Sequence, residues 1–145
     1  MLRILVTLFL AIPSVSLALE THRASFIDPN SGSSIMIELR PVHPYLAEYK
    51  RFLIVRKGGR ITQQKLAMDT GGYAATNVYI CSDKRIMLDG HMDSALINTS
   101  TGKIEFGRCT GKRTYFGVFD GGGNKQWLFF TAANRHETVL EMRGG

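Results

Sequence analysis

Glycines interrupt this chain too often for anything but short, sharply turned elements. Pairs at 58–59 and 71–72 and a triplet at 121–123 separate runs rich in β-branched and aromatic residues. Paired glycines supply the backbone conformations that tight hairpins need, and short alternating runs between them read as strands. No gap leaves room for the repeated long crossovers of a parallel sheet. The chain is therefore expected to be all-β, an antiparallel sandwich or small barrel of about eight to ten short strands. The runs fall at residues 35–39, 49–56, 61–68, 76–81, 85–88, 94–98, 103–106, 114–119, 126–131 and 137–142, with one helical turn at 44–48.

The first eighteen residues follow a different grammar. Arg3 precedes a run from Ile4 to Ile12 that is apolar apart from Thr7, Pro13 and Ser14 break it, and Ser16 and Ala18 place small residues where a signal peptidase reads. This is the pattern of a cleaved signal peptide over residues 1–18. The run is shorter than the ~20 residues that a spanning helix needs, and no later segment offers a transmembrane stretch. Residues 19–34 are polar, contain Pro29 and Gly32, and are expected to form an irregular lead-in to a single β domain over 35–145. A secreted or periplasmic location follows.

Two cysteines, Cys81 and Cys109, fit that location. An isolated pair in an oxidising compartment is expected to form a disulfide. Their spacing suits neither a C-x-x-C redox site nor zinc, which would need two further ligands. The formal charge is +6, of which Arg3 carries one. A basic excess of that size keeps a small domain soluble and favours anionic partners such as an envelope component or an acidic protein. Nucleic acid is not expected, because the chain carries no nucleic-acid motif and is exported.

One string invites a chemical reading. Residues 86–93 read IMLDGHMD, which resembles the G-H-x-D strand end of a family of zinc metallopeptidases. The resemblance implies a metal held by His91 with Asp93, and Asp89 beside them. His and carboxylate two residues apart at a strand end can converge on one ion. The likeness covers about eight residues of a chain with four histidines and no adjacent Glu-Glu pair. The simpler reading is a turn with an exposed His91. Residues 95–104 likewise resemble the hairpin of quinone-binding propeller blades. One copy provides a turn and no propeller, so no cofactor is expected.

No G-x-S-x-G and no phosphate-binding loop are present. Asn98 opens a glycosylation sequon, relevant only in a eukaryotic secretory pathway. Trp127 stands with Tyr115, Phe116, Phe119, Phe129 and Phe130, a set that either lines a groove or fills a core. Apolar residues on both faces of its run predict a central strand covered on both sides. The function expected is non-catalytic binding of a macromolecule, with loop tips carrying specificity. Lys57 and Arg60 at one tip, Asp120 and Asn124 at another, and Trp127 are the candidate contacts. A small metal-dependent hydrolase centred on Asp89, His91 and Asp93 is the alternative.

Overall fold

The structure, a computed structural model, describes residues 19–71, 74–121 and 126–140. The proposed signal peptide and Asn124 lie outside these residues. Ten strands form two antiparallel sheets, and no helix occurs among the described residues.

The smaller sheet is a meander of β1 (His22–Ile27), β2 (Ser34–Pro41), β3 (Tyr49–Lys57) and β4 (Arg60–Lys65) in sequence order. Alternation sets its faces. Ile35, Ile37 and Leu39 of β2 pair with Val55, Leu53 and Arg51 of β3, and all six point inward. Gly58 (φ 56°) turns the two-residue β3–β4 hairpin, where Lys57 faces Arg60 as expected.

The larger sheet comprises β5 (Thr76–Cys81), β6 (Ile86–Gly90), β7 (Ser94–Asn98), β8 (Lys103–Phe106), β9 (Arg113–Gly121) and β10 (Trp127–Thr131), in the order β10-β9-β5-β6-β7-β8. Its inner face presents Val78, Ile86, Leu88, Ala95, Ile97 and Phe119, which pack on the inner residues of the smaller sheet. This interlayer core defines a sandwich.

Four expectations need correction. Residues 19–34 are not an irregular lead-in, because β1 occupies 22–27 and pairs along β2 from His22↔Leu39 to Ile27↔Ser34. As an edge strand it buries only Ala24 and Phe26, so its composition stays polar. The turn at Pro29–Gly32 belongs to the hairpin, where Asp28 accepts the Asn30 and Ser31 N–H groups. The strand at 126–131 is an edge and not central. Trp127 faces the core, Leu128 is exposed, and Phe130 lies beneath the Arg135 guanidinium. Residues 137–140 form no strand and 44–48 no helical turn.

The expected disulfide joins Cys81 at the end of β5 to Cys109, with Cα atoms 5.6 Å apart. Topology explains its position. β8 is one edge of the larger sheet and β9 lies beyond β5, so residues 107–112 must cross the sheet's outer face. The Gly107 N–H donates to Ser94 O, the Cys109 N–H to Met87 Sδ, and the Ser82 N–H to Lys112 O. Beneath the crossing segment, Tyr79, Cys81, Met87 and Leu96 form a second small core, with Tyr115 packed against it.

One irregularity shapes β9. The pairing with β5 shifts between Val78 and Tyr79, inserting an extra residue near Phe116. Gly117 beside this bulge has no room for a side chain: a Cβ would lie 2.3 Å from Phe130 O and 2.5 Å from Phe129 Cζ.

Candidate functional site

The outer face of the larger sheet carries a cleft of about 840 Å³. Strand alternation builds its floor. Val78 and Leu88 face the interlayer core, so their neighbours Asn77, Tyr79 and Asp89 face outward. The turn at residues 90–94 closes one end. Arg108 from the crossing segment and Arg113 from the start of β9 supply a cationic wall, and residues 137–140 line another part of the rim.

The acidic and phenolic groups of this cleft are held by protein partners. Asp89 accepts the Ser94 hydroxyl at 2.6 Å and Arg108 Nη2 at 2.9 Å. The Arg113 guanidinium lies 4.4 Å from the Tyr79 ring centroid. The Tyr79 hydroxyl donates to the Glu137 carboxylate. Burial, reinforced by that carboxylate, pushes the Tyr79 phenol well above its ordinary range. Tyr115 is also raised, chiefly by burial and secondarily by Glu137. Neither tyrosine is therefore poised to ionise near neutral pH.

Asp93 has a structural task. Its carboxylate takes the Ala67 N–H at 2.5 Å and Arg51 Nη1 at 3.3 Å. Arg51 occupies an inward position on β3, so its guanidinium crosses between the sheets, and Nη2 donates to Thr76 Oγ1 at 2.7 Å. A buried cation of this kind requires a counter-ion and several acceptors. Asp93, Thr76 and the Ala67 carbonyl supply them.

The residues offered as a metal site thus line one cleft, but both carboxylates are held by protein groups. His91 is exposed on the turn. Among the described residues no group of three or more His, Cys, Asp or Glu side chains could hold a metal ion.

The loop-tip candidates do not converge. Arg51 near the start of β3 bonds Thr76, which pairs with Phe119 near the end of β9. The end of β9 with Asp120 therefore lies at the Arg51 end, whereas Lys57 and Arg60 lie at the other. At that second end Arg60 Nη1 donates to Thr101 O at 3.4 Å and the Ser33 hydroxyl to Thr99 O at 2.9 Å. Asp120 is half-buried and paired with Arg135 Nη2 at 2.7 Å. Trp127 lines no surface groove. It is 4% exposed, packs near Phe119, and donates Nε1–H to Ile37 O of the opposite sheet.

Asn77, Tyr79, Arg108, Arg113 and Glu137 escaped the sequence reading. Asn77 and Tyr79 flank Val78 on one face of β5, and that alternation is the available signal. The segments carrying Arg108 and Glu137 have no periodicity to place them. No protein-family model, curated protein or solved structure matches the chain.

Proposed function

We propose that this chain is an exported, non-catalytic β-sandwich that binds another macromolecule through the outer face of its larger sheet. The observation that carries this reading is the chemistry of the cleft. Its two buried or half-buried acids are tied to Arg108, Ser94, Arg51 and a backbone amide. What it offers to solvent is a wall with Arg113, Arg108 and His91, which can recognise acidic groups by charge and hydrogen bonding. The disulfide, the basic net charge and the amino-terminal pattern support export into an oxidising space.

The alternative, a metal-dependent hydrolase, draws on one observation: Asp89, His91 and Asp93 line the same cleft. Binding is preferred because a metal would have to displace the guanidinium partners of both carboxylates.

The test is capture of partners from the source's envelope or external fluid, with variants directed to separate surfaces. Arg113→Glu should lose the partner retained by the wild-type chain, while the double variant Lys57→Glu, Arg60→Glu should keep it. The converse pattern would move the contact surface to the β3–β4 tip.

A further inference from the structure

Residues 135–140 cross the outer face without joining it as a strand. Side chains hold them. Tyr115 Oη donates to Arg135 O at 3.1 Å, and Tyr79 binds the Glu137 carboxylate. Asn77 grips the main chain of Thr138 from both sides of its amide: Nδ2 donates to Thr138 O at 2.7 Å, and Oδ1 accepts the Thr138 N–H at 3.1 Å. That pair of bonds reproduces what a neighbouring strand would offer and needs no particular side chain at 138.

The same segment adds little to the core. Val139 is 91% exposed, and Leu140 is half-buried. An element held by a few polar contacts and little apolar burial opens at low free energy. Its lining of the cleft therefore resembles a seated ligand more than a packed wall.

We infer that the cleft is a receptor for an extended, acidic peptide segment of a partner protein, and that residues 137–140 are a built-in copy of that ligand which the partner displaces. Asn77 reads the backbone, Tyr79 reads an acidic side chain, and Arg113 over the Tyr79 ring adds the complementary charge. This inference rests on reading the outer face as the binding surface.

The test uses the full chain and a fluorescein-labelled, carboxy-terminally amidated peptide with the sequence of residues 137–140, the segment seated in the cleft. Thr138→Pro removes the N–H that Asn77 accepts and releases the tail. Glu137→Lys, which breaks the Tyr79 contact, is a second release variant. By fluorescence anisotropy the peptide should bind either variant at least tenfold more tightly than the wild-type chain. Binding should weaken at least fivefold when the peptide's glutamate is replaced by alanine, and should vanish when Asn77→Ala is added to Thr138→Pro. Equal binding to wild-type and released chains, or no binding to released chains whose thermal unfolding matches wild type, would overturn the inference. A concentration-dependent wild-type dimer that Thr138→Pro abolishes would assign the site to a second copy's tail and also overturn it. Partner capture that still depends on Arg113 while the peptide fails would leave the binding reading standing and remove only this one.

Discussion

Arg51 Nη1 stands 3.3 Å from Asp93 Oδ1 in the space between the two sheets, with the side chains 3% and 13% exposed. β3 of the smaller sheet is thereby tied to the β6–β7 turn of the larger one. Removing one member of a buried pair strands the other charge, typically at about 3–5 kcal/mol. Asp93→Ala should fall in that range, because it orphans both the guanidinium and the Ala67 N–H. Arg51→Met should be milder, since Asp93 keeps the Ala67 amide and the Arg51 Nε has no hydrogen-bond partner to lose among the described residues. Urea unfolding of both variants checks the order.

The pair also shows how much of the molecule its sequence discloses. Fold class, hairpin turns, the disulfide and most strands follow from local rules: alternation, turn glycines and cysteine arithmetic. Arg51 shares its strand face with Leu53 and Val55, so an inward cation was legible, but its partner 42 residues away was not. β1 was missed because an edge strand burying two side chains leaves almost no hydrophobic pattern. The cleft was missed because five separate segments build it, and two of them, around Arg108 and over 137–140, have no regular structure.

The crossing segment depends on its covalent anchor. The Cys81–Cys109 loop spans 28 positions, which the chain-entropy model converts to roughly 3–4 kcal/mol. The double variant Cys81→Ser, Cys109→Ser should lose about that much in chemical denaturation. Amide exchange should quicken first at residues 107–112, while the inner-face strands keep their protection.

Gly117 should tolerate no side chain. An added Cβ would meet the Phe130 carbonyl, a backbone atom of the paired strand, at 2.3 Å. Overpacking of this kind costs about 1–3 kcal/mol, and a backbone obstacle places Gly117→Ala at the upper end. The expected readout is a lower unfolding midpoint at an unchanged denaturant slope.

Acid should weaken the fold through Glu38. Burial alone would raise its carboxyl, but hydrogen bonds from Arg23 and Arg40 prevail and hold it below the ordinary carboxylate range. Asp28 is lowered in the same way, with burial opposed and outweighed by Ser31, Thr99 and backbone donors. Because the folded values lie below the unfolded ones, the unfolded chain takes up protons first as pH falls. The stabilisation is complete above about pH 5 and drains away below about pH 4.5. Glu38→Gln should be less stable at pH 7 and show a shallower acid slope in thermal unfolding followed from pH 7 to pH 3.

On the binding reading Asp89 and Asp93 are structural, the first tied to Ser94 and Arg108 and the second to Arg51 and the Ala67 amide. Elemental analysis of wild-type protein purified without a metal-affinity tag, with His91→Ala prepared in parallel, separates this role from a metal site. No stoichiometric transition metal is expected in either preparation. One bound equivalent in the wild type that disappears in His91→Ala would assign the cleft to metal chemistry instead.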